Sequence, residues 1–294
     1  MLNRIIYIAR RIRDLPPRIR NKTIRFTRSI KPFTNSEKVS DSENLFYLDA
    51  IVKINSSDRR FQKFRRVYNY REILEHVSPT LGRSYLENIK INWGSDSIDR
   101  EGILLLDTVG KPFKYFYKEL GFVSPTAIRY AHVAKELESY FPRQVNGRIA
   151  EIGVGFGGQA SILLKNHNLT KYTMFDLPEV FNLVDSYLGK LNLTQKIEFS
   201  DIHKLASDTW DLVISNYAFS ELPRNLQIKY VKKVLMKSNS GYMIMNSGRG
   251  NLTGRSSGKM SVQEITSYIP GASIFEEIPK TSKDNYIIAW GYSK

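Results

Sequence analysis

The chain of 294 residues contains no cysteine. It therefore has no disulfide bond, no thiolate ligand for a metal ion and no cysteine nucleophile. It also lacks any apolar run close to the ~20 residues that a membrane-spanning helix needs. The longest such run near the start, residues 5–9, ends at Arg10 and Arg11, and a secretory signal needs an apolar core of about 7–15 residues. These absences favour a cytoplasmic protein.

Acidic residues are scarce in two stretches of the first half of the chain. The formal net charge is +15. Residues 1–32 contain ten Lys or Arg and one acid, and residues 59–71 contain six Lys or Arg and no acid. Residues 143–294 are closer to balance, with 18 basic and 13 acidic residues. An acidic glycan would be a suitable partner for the basic half.

The first of these stretches has the pattern of a basic amphipathic helix. Its apolar residues recur at helical spacing: Leu2, Ile5, Ile8, Ile12 and Leu15. Pro16 and Pro17 end the pattern. Such a helix suits an anionic membrane surface, at the inner face of the membrane, or a subunit contact in a homo-oligomer. Nucleic acid is less favoured, because few aromatic residues interleave with the arginines. We expect residues 1–44 to be a basic arm and a polar linker.

The most informative segment follows at residues 148–160. An apolar run ends in Glu151, and a helix-like stretch begins at Gln159. Between them lie three glycines at alternate positions: Gly153, Gly155 and Gly157. This pattern predicts a strand, a tight turn and a helix N-terminus. Glycine lets the backbone approach a ligand closely, and the helix start has free N–H groups. The segment therefore predicts a site for a nucleotide-like cofactor.

Two cofactor classes fit the glycines. A dinucleotide fingerprint, G-x-G-x-x-G, also matches if Gly158 is its third glycine. Glu151 favours the other class, since a carboxylate repels a pyrophosphate and suits a cation. S-adenosylmethionine has a sulfonium and an amino group and no phosphate. The run Glu-x-Gly-x-Gly-x-Gly resembles the first motif of class I methyltransferases.

The segments that follow predict an α/β fold. Further strands are predicted at residues 171–176, 196–201, 210–216, 241–246 and 285–290, with helices at 179–191 and 225–236. Alternating strands and helices indicate a parallel sheet covered on both faces. The resemblance implies a Rossmann-like class I methyltransferase sheet, mostly parallel with an antiparallel last strand. We expect this catalytic domain at residues 143–294 and a helical cap that shapes the substrate site at 45–142.

The same resemblance assigns cofactor roles to strand ends, where open α/β sheets bind ligands. Glu151, with the glycines, would contact the methionine end of S-adenosyl-L-methionine, and S-adenosyl-L-homocysteine would be the product. Asp176 would accept the two ribose hydroxyls. The adenine contacts would come from three residues: Leu177, Asp201 and Ile202. Asn216 would contact the methionine moiety.

Longer runs narrow the resemblance. Asp176-Leu-Pro-Glu-Val-Phe-Asn-Leu and Ser215-Asn-Tyr-Ala-Phe-Ser-Glu-Leu222 are similar to sugar O-methyltransferases of bacterial surface-glycan and nonulosonic-acid gene sets, over roughly residues 120–294. The resemblance implies methylation of a sugar hydroxyl, on an acceptor that is free, nucleotide-linked, lipid-linked or polymeric.

Methyl transfer to a hydroxyl needs alignment of the reacting atoms and a general base. Glu221 is the first candidate for the base, although it could instead cap the helix that follows it. His132 is the second, because the pKa of histidine suits a base. Tyr217 would position the acceptor, and Asn246 would bind a sugar hydroxyl. No metal site is expected, because no paired acids follow the fourth predicted strand.

Four other functions stay open from the sequence. The first two are methylation of RNA and methylation of a small metabolite by the same fold. The signature Asn/Asp-Pro-Pro-Tyr of enzymes that methylate amino groups is, however, replaced by Ser215-Asn-Tyr-Ala. Attack on pyrimidine C5 is excluded, because that chemistry uses a cysteine. A dinucleotide-dependent dehydrogenase is the third possibility. The fourth is a membrane-associated protein that keeps the fold without catalysis.

Overall fold

The structure is a computed structural model that describes residues 45–246 and 258–293. The amphipathic helix predicted at residues 2–15 lies outside the described residues. Before the main sheet, the chain forms the helices α1 (Leu45–Asn55), α2 (Asp58–Phe61), α3 (Tyr68–Leu74), α4 (Pro79–Trp93), α5 (Arg100–Leu106) and α6 (Pro125–Tyr140). The later helices are α7 (Gly158–Asn166), α8 (Pro178–Lys190), α9 (Ala218–Glu221), α10 (Arg224–Lys233) and α11 (Val262–Ser267).

The strands form a small hairpin and one large sheet. The hairpin consists of β1 (Tyr115–Tyr117) and β2 (Gly121–Val123). The sheet contains β3 (Arg148–Ile152), β4 (Lys171–Phe175), β5 (Ile197–Ser200), β6 (Trp210–Asn216), β7 (Ser238–Met245), β8 (Ser273–Glu276) and β9 (Tyr286–Trp290). Its strand order is β5-β4-β3-β6-β7-β9-β8.

The predicted sheet is confirmed. Strands β3 to β7 pair in parallel, and β9, the last strand, is antiparallel to both of its neighbours. From β3 the chain continues outward to β4 and β5 on one side of the sheet, and β6 and β7 follow on the other side. Open α/β sheets bind ligands at this switch in direction, between β3 and β6. Glu151 lies opposite Met174 of β4 and Ile214 of β6. The polar residues that end β3, β4 and β6 are therefore neighbours.

Two elements of the sheet region differ from expectation. Strand β8 is absent from the prediction, because its four residues alternate between half-buried and exposed and carry a weak signal. The hairpin β1–β2 is also absent from it, since each of its strands has only three residues. Helix α4 begins at Pro79, and the Ser78 hydroxyl accepts from the Leu81 N–H at 3.1 Å.

The helices before β3 share a core with the sheet. The larger hydrophobic cluster includes Ile51 of α1, Leu137 of α6 and Ile149 of β3. Helix α6 begins with Ser124 as N-cap and Pro125 in the first turn. Its buried face places Arg129 against the ends of the parallel strands. This packing brings the predicted cap to the carboxyl ends of the parallel strands, where the sequence motifs lie.

A fully buried arginine joins several parts of that cap. Arg65 forms ion pairs with Glu75 and Asp107, the latter at 3.0 Å. It also donates to the Leu106 carbonyl at 2.9 Å and to the Ser124 hydroxyl at 3.0 Å. The carboxylate of Asp107 accepts from the backbone N–H and the hydroxyl of Ser124. The guanidinium thus links the segment before α3, the end of α5 and the N-cap of α6.

We predict that Arg65→Met destabilises the protein by about 3–5 kcal/mol, because removing one partner leaves buried, unpaired carboxylates. Urea unfolding followed by circular dichroism measures the change. Lys63→Met is the matched control, since Lys63 is exposed, and we expect a change within about 0.5 kcal/mol. Equal stability of the two variants would contradict a central role for Arg65.

Candidate functional site

A cavity of about 300 Å³ lies at the carboxyl ends of β3, β4, β6 and β7. This volume is at the lower end of the range for small-molecule sites, roughly 300–1,000 Å³. Sheet residues and the loops after the strands line one side: Glu151, Gly153, Val154, Gly155, Asp176, Asn216, Tyr217, Ala218, Glu221, Asn246, Thr281, Ser282 and Asn285. The helical cap lines the other side: Tyr47, Ile73, Leu74, His76, Arg129 and Tyr130.

The glycine-rich loop after β3 forms the floor of the cavity. Gly153, Gly155 and Gly157 adopt φ angles of +78°, +57° and +87°, a region that disfavours side chains. A Cβ atom at Gly153 would collide with the methyl group of Ala218. Gly157 lines no part of the cavity and is instead the N-cap of α7. The first two glycines line the cavity, and the third shapes the turn into the helix.

Asp176 binds this loop. One carboxylate oxygen accepts from the N–H groups of Val154 at 2.8 Å and Gly155 at 3.3 Å. The other accepts from the Leu177 N–H at 2.8 Å. A carboxylate has about four acceptor positions, so about one remains for a ligand. Burial raises the pKa of Asp176 to about 6, although the loop N–H groups favour its ionised form. The residue orders the loop as well as facing the cavity.

Glu151 is a buried acid near the end of β3. Its carboxylate accepts from the Tyr172 hydroxyl at 2.8 Å. Burial raises the pKa of Glu151 to about 8, against the Tyr172 hydrogen bond and the Arg129 charge, which favour ionisation. The negative charge of Asp176 raises it further. At neutral pH Glu151 is therefore mainly protonated, and a cation in the cavity would drive its ionisation.

Arg129 faces the same cavity from α6. It is 6% exposed, and its Nε atom has no hydrogen-bond partner. Across residues 45–246 and 258–293 it forms no ion pair, and its guanidinium lies over the rings of Tyr130 at 5.1 Å and Tyr217 at 5.2 Å. A buried guanidinium without a carboxylate is costly, which makes Arg129 a candidate anion ligand. Its position in a helical stretch of the sequence gave no sign of a site residue.

Asn216, at the end of β6, also has unused hydrogen-bonding capacity. Neither its amide oxygen nor its amide nitrogen makes a hydrogen bond of good geometry, and both atoms are buried. The side chain is nevertheless close enough to Glu151 to favour the ionised form of that acid. Buried polar groups are normally paired, so this amide is available to a ligand.

Tyr217 follows in a left-handed conformation, with φ +70° and ψ −28°. Such a φ is uncommon for residues other than glycine and is often found at functional sites. Its hydroxyl donates to Glu277 and contacts the Thr281 hydroxyl at 2.9 Å. Burial raises the pKa of Tyr217 well above its usual range. The ring therefore lines the cavity as a neutral group bonded to the segment between β8 and β9.

Glu221 and Asn246 are paired at the far wall. The Asn246 amide donates to Glu221 at 2.9 Å, and the Asn246 N–H donates to the Ser220 hydroxyl at 3.0 Å. This arrangement brings the predicted base beside the residue predicted to bind a sugar hydroxyl. Both side chains line the cavity.

His76, for which no role was expected from the sequence, also lines the cavity. Its Nδ1 atom lies 2.8 Å from the Ile73 carbonyl, which can only accept, so Nδ1 carries the proton. In the neutral ring Nε2 is then an unprotonated acceptor. Desolvation at the cavity wall and the charge of Arg129 lower the pKa of His76 from its usual value. A histidine after a short helix has no sequence signal, because only tertiary packing brings α3 to the sheet.

The structure does not bring His132 to the cavity. The residue is 1% exposed and packs against Tyr85 and Trp93, and its Nε2 lies 2.7 Å from the Asn88 amide oxygen. Burial and the Arg129 charge lower the pKa of His132 to about 3. His132 occurs on the same helix as Arg129 but faces α4, so this geometry corrects the prediction that it is a candidate base.

The residues predicted to bind adenine lie outside the cavity. Leu177 packs against the larger core cluster, and Ile202 is buried in the smaller one. Asp201 is exposed and accepts from the His203 N–H at 2.8 Å within its own turn. The cavity is lined by the strand ends that were predicted to contact the methionine and ribose parts of the cofactor. The adenine contacts stay predictions.

The cavity fits S-adenosylmethionine at its amino-acid end. An α-amino acid carries an ammonium and a carboxylate on one carbon atom. Glu151 and Arg129 supply an acid and a guanidinium that face the same cavity and are not paired with each other. The unpaired amide of Asn216 and the backbone of Gly153 line the same cavity. A pyrophosphate would instead meet two carboxyl groups, Glu151 and Asp176.

Two absences concern only the described part of the chain. No group of three or more histidine, aspartate or glutamate side chains is arranged there to bind a metal ion. Within the same residues, no helix has the length and apolar character required to span a bilayer.

Comparisons with known proteins give one curated relative and a general likeness of fold. No family model matches the chain. The ribosomal RNA small subunit methyltransferase C of Buchnera aphidicola subsp. Cinara cedri is 37% identical over 84 residues, which are 28% of this chain and 24% of that protein. The chain thus matches about a quarter of the length of that relative.

Solved structures are similar at low sequence identity. The tRNA (m1A58) methyltransferase of Aquifex aeolicus has a TM-score of 0.41 at 13% identity, with 64% of this chain and 84% of that chain covered. An S-adenosylmethionine-dependent methyltransferase of Clostridium acetobutylicum has a TM-score of 0.41 at 12% identity, with 54% and 89% covered. A likeness at this level does not indicate an activity.

We predict that binding of S-adenosylhomocysteine releases protons between pH 6 and 8. The ligand ammonium stabilises ionised Glu151 and lowers its pKa from about 8, so affinity should rise with pH by up to about tenfold per unit. Calorimetry in buffers of different ionisation enthalpy measures the release. Glu151→Gln should bind more weakly and with a smaller pH dependence. Binding without proton release would contradict an ammonium site at Glu151.

Proposed function

We propose that this protein transfers a methyl group from S-adenosylmethionine to a sugar hydroxyl in a bacterial surface glycan. The observation that carries the proposal is that Glu151, Arg129 and Asn216 line one cavity at the switch point of the sheet. These groups complement a cationic, zwitterionic donor. The sugar acceptor is supported by the resemblance of the motifs after β4 and β6.

The donor end of the site needs little reorganisation. Asp176 orders the loop through two N–H groups, so the space above Gly153 exists before a ligand enters. Asp176 has about one free acceptor position for a ribose hydroxyl. When bound, the donor supplies an electrophilic methyl group on a sulfonium. The residues of this chain then orient the donor and exclude water, which is where much of the rate enhancement of a displacement arises.

The acceptor end has the chemistry that a sugar requires. Amide, hydroxyl and carboxylate side chains share one wall of the cavity: Glu221, Asn246, Thr281, Ser282 and Asn285. Such groups donate to and accept from hydroxyls with fixed geometry. A sugar hydroxyl attacks the methyl carbon while the carbon–sulfur bond breaks, and its proton must pass to a base. Two groups at the cavity suit that role, Glu221 and His76.

We predict that purified protein transfers labelled methyl groups to glycan from a strain in which the gene has been deleted, because that glycan lacks the methyl. Glycan from the parent strain, already methylated, is the control and should accept little. Mass spectrometry of the product identifies the modified sugar. Labelling of neither glycan, with S-adenosylhomocysteine bound, would contradict a sugar acceptor.

The same assay identifies the base. Replacing it should lower turnover by about 10²–10⁴-fold while the affinity for S-adenosylhomocysteine stays within about twofold. Glu221→Gln and His76→Gln are compared, each with a pH profile. If His76 is the base, turnover of the native protein falls on the acidic side of its pH profile, near or below pH 6.5. This fall disappears in His76→Gln and remains in Glu221→Gln. Unchanged turnover in both variants would remove both residues from the mechanism.

We predict that Asp176→Ala abolishes measurable binding of S-adenosylhomocysteine, since it removes a ribose acceptor and two hydrogen bonds that order the loop. Calorimetry gives the affinity. Asp185→Ala is the control, because Asp185 is an exposed acid on α8, and its affinity should match that of the native protein. Micromolar binding by Asp176→Ala would exclude the ribose assignment.

Methylation of RNA is the second candidate, and the partial similarity to a ribosomal RNA methyltransferase favours it. RNA from the deletion strain is therefore included in the labelling assay. An RNA enzyme should label it with a turnover that falls steeply as salt rises, because phosphate contacts release counterions. A glycan enzyme should label the glycan alone.

A further inference from the structure

A cluster of aromatic and basic side chains, exposed except for the half-buried Arg71, lies on the hairpin β1–β2 and beside α3. We call it the hairpin surface. Its aromatic members are Tyr68, Phe113, Tyr115, Phe116 and Phe122, and its basic members are Arg66, Arg71, Lys111, Lys114 and Lys118. Phe116 and Phe122 are 62% and 66% exposed, which is unusual for phenylalanine, a residue mostly found in cores.

The surface is continuous. Arg66 donates to the carbonyls of Lys111 and Pro112. The guanidinium groups of Arg66 and Arg71 lie over the ring of Phe113, at 5.0 Å and 5.5 Å. Arg71 also lies over Tyr68, at 5.7 Å. The segment before the hairpin is therefore joined to α3 by contacts between cations and aromatic rings.

The hairpin surface carries mainly positive charge. Residues 111–118 contain three lysines and no acid. The neighbouring Glu119 is paired with Lys90, and Glu72 is paired with Arg71 at 3.3 Å. A partner that covers this surface must be anionic. The arm at residues 1–32 does not suit it, because ten basic residues and one acid would repel it, and a second copy of the surface would repel it in the same way.

We propose that the hairpin surface docks the protein on an anionic lipid membrane. Phe116 and Phe122 lie opposite each other on the two strands and pack together, with ring centroids 5.6 Å apart and planes at 60°. They form one apolar projection, which suits insertion among lipid chains. Basic residues around it attract anionic headgroups, at about 1 kcal/mol each, and aromatic rings favour the interface.

Single-stranded nucleic acid fits these contacts less well. A base stacks on the open face of an aromatic ring. Here Phe116 and Phe122 pack at an angle to each other, and guanidinium groups already cover Phe113 and Tyr68. The rings therefore do not form a row of separate platforms.

Docking at this surface would place the cavity near the membrane. Helix α3 carries Tyr68 and Arg71 on the hairpin surface, and Ile73 and Leu74 line the cavity. Tyr68 and Leu74 are about 9 Å apart along the helix axis. A lipid-linked acceptor would be within reach, a consequence that rests on the proposed function. Docking itself is independent of that function and is tested without an acceptor.

The test is flotation of the full-length protein with vesicles of phosphatidylcholine, alone or mixed with phosphatidylglycerol. We expect binding to the mixed vesicles only. The double variant Phe116→Ser/Phe122→Ser and the triple variant Lys111→Glu/Lys114→Glu/Lys118→Glu should each bind at least about tenfold more weakly. Circular dichroism checks that both variants fold.

Matched controls separate the surface from general effects. Ile91→Ser/Ile274→Ser removes two exposed apolar residues elsewhere, and Lys204→Glu/Lys232→Glu/Lys237→Glu changes the charge equally. Both controls should bind like the native protein. In a variant with Phe116→Trp, the added fluorescence should be quenched by brominated lipids, which locates the side chain in the bilayer even if the serine variant does not fold.

Three outcomes would overturn the proposal. The native protein fails to bind the mixed vesicles, or the surface and control variants bind alike. Alternatively, the surface variants lose affinity for a single-stranded RNA oligonucleotide, measured by fluorescence anisotropy, and keep their affinity for vesicles. The last outcome would assign the surface to nucleic acid.

Discussion

The buried guanidinium of Arg65 is the interaction on which the arrangement of the site depends. It pairs with Glu75 and Asp107, donates to the N-cap of α6, and lies 4.8 Å over the ring of Phe156 in the glycine-rich loop. Cap and cofactor loop therefore meet at one charged group with no solvent around it. Because a buried ion pair needs all its partners, the cap has one favoured position on the sheet. That position places Leu74 and His76, which flank Glu75, on the cavity wall.

The loop itself depends on a second, smaller network. Asp176 accepts from the N–H groups of Val154 and Gly155, and the left-handed glycines permit the close turn. A carboxylate that binds two loop N–H groups makes the loop rigid before any ligand arrives. This use of Asp176 reduces its capacity for a ribose to about one hydroxyl. The residue is thus an ordering group and a binding group, and the two roles draw on the same oxygens.

The sheet and its polar ends were predictable from the sequence because their signals are local. An apolar run closed by an acid, followed by alternate glycines, encodes a strand and its turn, and the alternation of helices fixes the direction of the strands. Arg65, Arg129 and His76 were not predictable as site or core residues. In the sequence they belong to a basic stretch, a helix and a loop, and charged residues are usually solvated. The burial of the two arginines results from contacts with residues 10 to 88 positions away, such as Arg65 with Glu75 and Arg129 with Tyr217. Such contacts leave no periodic pattern.

Buried charge around the cavity argues for a bound ligand on energetic grounds. Glu151 is 1% exposed and Arg129 is 6% exposed, and in the described part of the chain neither forms an ion pair. Each loses hydration without a full partner, a cost of several kcal/mol per group when it is charged. A protein selected for stability alone would replace them with apolar residues. A zwitterion between them would supply an ammonium to the acid and a carboxylate to the guanidinium, and would convert two costly groups into two charge-assisted sites. The same reasoning explains why the pKa of Glu151 is raised to about 8 in the absence of a ligand. The acid stays near neutrality until the cation that it complements arrives.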